Sequence, residues 1–430
     1  MAEGSLRLLH LADLHLGVES GGRTDPATGL NQRVVDVCAR LDEVCEAVER
    51  DAVDLVLFAG DAFKNQHPSP TLQSLFAERI RRMARAGSSV FLVVGNPDLP
   101  KMKHHKHPFS IYEALEVHGV VTADRPALYR VETRAGPVQV AALPHFSKQQ
   151  VLARIEDDDG DPGELIADEL GRRIAALGAD VDPSLPSVFV GHCHVTQARI
   201  DGGQKMFEYS DVEVSLSTLT SGQPFPYYAL GHIHERQVLS RDPFVAYSGS
   251  LERVDHGEGT RVTIGPDGRT DLRVAEPKGF YRFDLEARGG AWARAGEPEF
   301  RPVAAREFIT LRAPGLDHAD PFGDLSRRVG AMRTQVATAG AFVHVAATLD
   351  RADRPRVPIV AVRELLADAY DVRLSLGTPD PTHARDPRFE RPMSEIEALE
   401  HYIEGREDWS DDAPELVALG RALIAEVTHA

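Results

Sequence analysis

Residues 6–17 read LRLLHLADLHLG, a short apolar run closed by Asp13, His15 and Gly17. The run is too short for an independent helix and has the texture of a buried strand over Leu6–Leu11. Its carboxylate and imidazole then fall in the turn at the strand's carboxyl end. The same layout recurs. LVLFAGDAF delivers Asp61, VFLVVGNPD delivers Asn96, VFVGHCH delivers His192, and YALGHIH delivers His232 and His234. In both Asp-x-His and His-x-His the alternate residues of a turn point toward a common side.

Around these runs the first half of the chain alternates strand and helix. Asn31–Arg50 places Val34, Val37, Leu41, Val44 and Val48 on one helical side. Thr71–Ala86 is a second helix, with Arg79, Arg81, Arg82 and Arg85 near its end, where cations complement the helix dipole. Leu55–Phe58, Val90–Val94, Ser187–Val190, Tyr227–Leu230 and Val245–Tyr247 read as strands, and Glu164–Leu177 as a helix. Such alternation predicts an α/β layered domain.

Arg261–Val274 places two strand-like runs around Gly-Pro-Asp-Gly and reads as a surface hairpin. At EPKGF (276–280) the texture changes. Strands are expected at Phe280–Leu285, Glu299–Val303, Phe308–Leu311 and Phe342–Leu349, with a helix at Pro321–Ala337, a small α+β unit. Gly377–Pro392 reads as a polar linker, followed by amphipathic helices at Ser394–Glu404 and Ala413–Val427. The expected division is residues 1–278, 279–376 and 377–430.

A chain of 430 residues exceeds one ordinary core, and 42% hydrophobic with 27% charged residues fits a globular protein. No stretch is apolar for long enough to cross a bilayer. The start, MAEGSLRLLH, lacks the basic and apolar regions of a secretory signal, so a cytoplasmic location is expected. Cys38 and Cys45 are seven apart on a helical pattern and read as core residues; with Cys193 they fit that compartment. The net charge of −18 argues against tight, metal-independent binding to nucleic acid over a broad surface. It leaves room for DNA held through divalent cations and a local basic patch.

Phosphodiesters repel an attacking hydroxide and release a poor leaving group. Two divalent cations address both problems by binding phosphate oxygens, activating water and stabilising the in-line transition state. A pair needs a shared carboxylate and a mixed oxygen and nitrogen set. Asp61, directly after Gly60, is the natural bridge. Asp13, His15 and His234 would complete one metal, and Asn96, His192 and His232 the other. Imidazole with carboxylate suits Mn²⁺, Fe²⁺ or Zn²⁺ better than Ca²⁺. Any one of these histidines alone is more often a hydrogen-bonded core residue; the five blocks in order are what carry the reading.

The arrangement resembles the calcineurin-like metallophosphoesterase superfamily, and within it the SbcD-type nuclease subunits of DNA double-strand-break repair. The resemblance rests on LLHLADLHLG, on AGDAF followed by HPSPT, on the gap between His192 and GHIH, and on YSGSLERVDHGE at Tyr247–Glu258. It is strong over Leu6–Gly279 and looser beyond. It implies a layered β-sandwich flanked by helices with a smaller α+β capping domain. It also implies two divalent metal ions, most often Mn²⁺, and exo- and endonuclease cleavage of DNA ends in repair and recombination. The implied partner is an SMC-like coiled-coil ATPase of the SbcC type, gripped by the C-terminal helices in a nucleoid-associated SbcCD complex. A homodimer is left open.

The chain departs from that pattern at one telling place. Where the family has Gly-Asn-His-Asp, this sequence has Gly95-Asn96-Pro97-Asp98. Proline has no side-chain donor and restricts Asn96 to extended geometry, so proton delivery from position 97 is impossible. No catalytic acid is assigned. Lys64 and His104 are the candidates, and the run Lys101–His107 could also contact phosphates or be a solvated loop. Three functions follow: a metal-dependent DNA nuclease, a general metallophosphoesterase, and a catalytically weakened scaffold.

Overall fold

The computed structural model describes residues 4–99, 106–146, 148, 162–200, 212–378 and 413–428. It opens with β1 (Ser5–Leu11), α1 (Gln32–Asp51), β2 (Leu55–Phe58), α2 (Pro70–Arg85), β3 (Ser89–Val93) and β4 (Val120–Ala123). There follow β5 (Ala127–Thr133), β6 (Gly136–Leu143), β7 (Ser187–His192), β8 (His194–Val195), β9 (Glu213–Val214), β10 (Tyr227–Gly231), β11 (Gln237–Arg241) and β12 (Phe244–Tyr247). The remainder holds β13 (Thr260–Ile264), β14 (Thr270–Arg273), β15 (Gly279–Arg288), β16 (Ala291–Arg294), β17 (Glu299–Pro302), β18 (Phe308–Ala313), β19 (Phe342–Thr348) and β20 (Asp371–Gly377).

Two sheets stack face to face. The first runs β16-β15-β1-β2-β3-β4, with β17 also on β15, and the second β11-β12-β10-β7-β6-β5. Between them Leu8, Leu55, Leu57, Phe91 and Val93 meet Val138, Val140, Val188, Val190, Tyr227 and Ala229. β2 and β3 are buried along their whole length. Strands covered on both faces read as continuous apolar runs, which is why LVLF and SVFLV carry no polar alternation.

On the outer face of the first sheet, α1 brings Val34, Val37, Leu41, Val44 and Val48 against Leu9, Leu11, Val56 and Phe58. Burial of each such side chain contributes about 1.5–3 kcal/mol over leaving it exposed. The Asn31 side chain accepts from Arg33 N at 2.9 Å and caps α1, while Ser69 and Pro70 open α2. The helix Pro162–Ala179 covers the second sheet through Ile166, Leu170 and Ile174. The result is the expected α/β sandwich with helices outside. The three cysteines are buried and free. Among the described residues no helix is long and apolar enough to cross a membrane.

Three expectations need correction. The sequence reading places no element between Val94 and Glu164, yet β4 and the β5–β6 hairpin lie there. β5 is an edge strand with little burial, so its sequence, ALYRVET, carries no strong apolar signal. Arg261–Val274 does form a hairpin, but only β14 is exposed. β13 is an interior strand of a third sheet, β14-β13-β18-β19-β20, and runs parallel to β18. The change of texture at residue 279 also does not mark a change of sheet. β15 pairs antiparallel with β1, Leu8 opposite Phe283, and sends Tyr281, Phe283 and Leu285 into the sandwich core. Without β15 the edge of β1 would present unpaired backbone groups over a buried face.

Of the expected C-terminal segments, a helix at Ala413–Thr428 is described. The linker beyond residue 378 and the helix Ser394–Glu404 lie outside the described residues.

Candidate metal centre

β1, β2 and β3 run parallel in one sheet, β7 and β10 in the other, so all five deliver their carboxyl ends to one edge of the sandwich. The turns after β1 and β2 are laced together. Asp13 N donates to Gly60 O at 3.0 Å, Leu14 N to Asp61 O at 2.8 Å, and His15 N to Asp61 O at 3.0 Å. Among the described residues six non-glycines have positive φ, and four are Asp13 (53°), His15 (46°), Asp61 (60°) and His232 (100°). Such backbone costs about 1–3 kcal/mol per residue and persists where surrounding structure enforces it. The strain is concentrated where the polar side chains converge.

Glycine makes the approach possible. A Cβ on Gly95 would lie 1.9 Å from Asp61 Oδ1, and one on Gly60 2.2 Å from His192 Nδ1. These residues are the packing surface of the site.

The structure brings all seven singled-out side chains together. Asp61 stands in the middle, with Oδ2 3.4 Å from His15 Nε2 and Oδ1 3.1 Å from His192 Nε2. His15 Nε2 is 2.9 Å from His234 Nε2, and Asp13, His15, Asp61 and His234 offer ligand atoms within 4.8 Å of one another. On the other side, Asn96 Oδ1 is 3.0 Å from His192 Nε2 and 3.3 Å from His232 Nδ1. Both carboxylate oxygens of Asp13 accept from His232 N, at 3.0 and 3.1 Å, tying the two sheets together.

The chemistry of this donor set fits divalent metal. His192 Nδ1 faces Ala59 O at 2.7 Å and His234 Nδ1 faces Glu258 Oε1 at 2.8 Å. A neutral imidazole that donates from Nδ1 presents a lone pair at Nε2. Those Nε2 atoms point at Asp61, Asn96 and His15, that is, largely at other lone pairs. Asn96 Oδ1 likewise faces both Asp61 oxygens at 3.3 Å, which is repulsive unless the amide turns over to donate or a cation lies among them. Converging acceptors are what a cation requires.

Without a cation, a proton held between His192 and Asp61 relieves the same crowding of acceptors. Burial opposes charge on Asp61, but His192, His15 and His232 outweigh it and hold the carboxyl well below the usual range. Burial likewise opposes the His192 cation, yet Asp61 lifts that imidazole to about 9. Burial, with His192 and His234 working against it, pushes Asp13 up to about 6. Burial and the neighbouring His234 pull His15 down to about 4.

The sequence reading misses four contributors. Asp98 is fully buried and accepts from Ala62 N, Phe63 N and Gly95 N at 3.2, 3.1 and 3.3 Å, joining the Asp61 turn to the Asn96 turn. Glu258 orients His234 and is itself held by Lys278 Nζ at 2.6 Å. Lys278 also donates to His234 O at 2.9 Å and Ser250 Oγ at 2.7 Å. His145 follows β6 as the other histidines follow their strands, a signal that was available in LPHFS. Its ring centre is 6.0 Å from that of His192 and 5.9 Å from that of His232.

Other candidates fall elsewhere. Lys64 is exposed and has no place in the cluster; Asp61's turn carries it outward. His104 lies outside the described residues, and His107 is buried beside Asp124 and Phe109. His194 is buried and pairs with Glu213 across the small β8–β9 ladder. His10 is a core residue between Tyr227 OH and Leu230 O.

Known proteins are similar to this chain over the region that carries these residues. The model of the calcineurin-like phosphoesterase family matches residues 6–236. The SbcD component of nuclease SbcCD from Bacillus subtilis is 26% identical over 253 residues, 57% of this chain and 61% of the relative. The chain thus spans about three fifths of that relative's length. DNA double-strand break repair protein Mre11 of Archaeoglobus fulgidus is 25% identical over 409 residues, 92% of this chain and 76% of the relative. The SbcD component of nuclease SbcCD from Rhodobacter capsulatus is 26% identical over 394 residues, 86% of each chain.

Proposed function

The chain belongs to the calcineurin-like phosphoesterase family, and on that footing we propose that it is a metal-dependent DNA phosphodiesterase that processes DNA ends. The observation that carries this reading is Asp61, whose two oxygens face separate histidine groups. Asp13, His15 and His234 would hold one divalent ion, Asn96, His192 and His232 the other, with Asp61 shared. Mn²⁺ suits the mixture of imidazole and carboxylate. Bound there, the metal pair would bind and polarise the phosphate and activate water. The protein's own part is to fix the ligands. Glu258 and Ala59 O set the tautomers of His234 and His192, Asp98 ties two turns, and Gly60 and Gly95 permit the close approach.

A second reading has its own observation. Pro97 removes a donor that the resemblance would place beside Asn96, and this favours a scaffold that binds metal and DNA ends but cuts slowly. One experiment separates the readings. Purified protein is expected to cleave linear duplex DNA with Mn²⁺ and to stop when the metal is chelated. Two bound metals without cleavage would identify the scaffold. Hydrolysis of bis(p-nitrophenyl) phosphate alone would identify a general phosphodiesterase.

The partner proposal concerns the chain's end. Named relatives are components of an SbcCD nuclease, and Leu419 in the helix Ala413–Thr428 is 60% exposed. The C-terminal helices are proposed to grip a coiled-coil SMC-like ATPase. Truncation before Ser394 is expected to preserve folding and metal content while abolishing co-purification with that ATPase. Insolubility of the truncated chain would show that the helices pack on their own protein.

A further inference from the structure

We propose that His145 contacts the substrate, donating an imidazole N–H to a phosphoryl oxygen at the Asn96, His192 and His232 half of the centre. The proposal rests on the phosphodiesterase reading above and deepens it. β6 runs parallel to β7 with Leu143 opposite Gly191, so the residues after the two strands leave at the same edge of the sheet. His145 N donates to Val94 O at 3.1 Å, which pins this loop to the end of β3, next to the turn that carries Asn96 and Pro97.

The ring then stands beside two of the proposed ligands at once. It is nearly perpendicular to His192 (75°) and tilted 31° from His232, with centres about 6 Å away in each case. It differs from them in access. His192 is fully buried, whereas His145 is only partly so.

An imidazole carries at least one N–H in every protonation state it adopts near neutrality. A preorganised donor aimed at phosphoryl charge is a recognised source of rate, and removing one such donor elsewhere costs about 10²–10³-fold in kcat. Pro97 has no donor to offer, Lys64 is exposed, and His107 faces Asp124 and Phe109. Among the described residues His145 is therefore the imidazole outside the proposed ligand set that borders the Asn96 half of the centre.

The test uses the full chain loaded with Mn²⁺. His145→Phe retains ring volume without a donor, and His145→Gln retains an amide N–H. Three quantities are read for each: bound Mn²⁺, affinity for inorganic phosphate by calorimetry, and hydrolysis of bis(p-nitrophenyl) phosphate. His145→Phe is expected to keep its Mn²⁺, bind phosphate at least tenfold more weakly and turn over at least tenfold more slowly. His145→Gln should remain within about threefold of wild type. Adding Pro97→His to His145→Phe should restore a donor near Asn96 and recover at least threefold in rate, whereas Pro97→His alone should change little.

Wild-type phosphate affinity and rate in His145→Phe would overturn the proposal. So would loss of Mn²⁺ from both variants, which would make His145 a ligand or a structural residue. A wild-type protein that binds Mn²⁺ and phosphate while His145→Phe behaves normally leaves the phosphodiesterase reading intact. A wild type that binds neither overturns both.

Discussion

Asp61→Asn is expected to strip the protein of most of its divalent metal and to abolish phosphodiester cleavage. Removing a group that merely orients a ligand costs about 10–100-fold in metal affinity. Loss of a carboxylate facing both histidine groups should exceed that. Asparagine is the informative replacement because Asp61 has φ 60°, a conformation that Asn adopts more readily than Ala. The backbone bonds from Leu14 N and His15 N to Asp61 O are kept, so the turn should survive. The variant should therefore melt close to wild type while elemental analysis finds well under one equivalent of Mn²⁺. Two equivalents retained by the folded variant would mean that Asp61 does not bridge.

Lys278→Met should give the largest loss of stability. The side chains of Lys278 and Glu258 are 5% and 6% exposed, and the pair is closed by Ser250 and His234. Burial raises the Glu258 carboxyl, but Lys278 and then His234 outweigh it and hold it well below the ordinary value of 4.5. Removing the lysine leaves a buried carboxylate short of its main counter-charge, a change that costs about 3–5 kcal/mol and lowers the melting temperature by roughly 10 °C.

The sign with pH is fixed by the depressed carboxyl. The stabilisation of Glu258 is present above 4.5 and is lost as pH falls below it, so wild type and variant should converge on acidification. Adding Glu258→Gln to Lys278→Met should recover more than half of the loss, because no charge is then left buried. A double variant whose loss equals the sum of those of Lys278→Met and Glu258→Gln made singly would show that the pair is not coupled.

How much could be read without coordinates depends on the range of the interaction. The strand ends were legible because each is a local event: a short apolar run, a glycine, and a polar side chain in the turn. LVLFAGDAF and VFLVVGNPD read as short buried strands, each with its polar residue in the turn at the carboxyl end. α1 was legible by its apolar spacing and its Asn31 cap.

Other features depended on partners far along the chain. β15 belongs to the first sheet because β1 needed a neighbour, a pairing of Leu8 with Phe283 that no local pattern encodes. β13 looked like half of a surface hairpin until β18 lay beside it. Glu258 and Lys278 are ordinary charges in sequence, and burial with His234 turns them into a fixed pair. Pro97 was visible as a missing donor, but the imidazole beside His192 and His232 was not. His145 comes there because β6 lies next to β7 and its backbone is held by Val94. Sequence determined which chemistry the strand ends present, since that is written in consecutive residues; tertiary structure alone decided which side chains share a buried space, since burial and charge pairing act across strands distant in the chain.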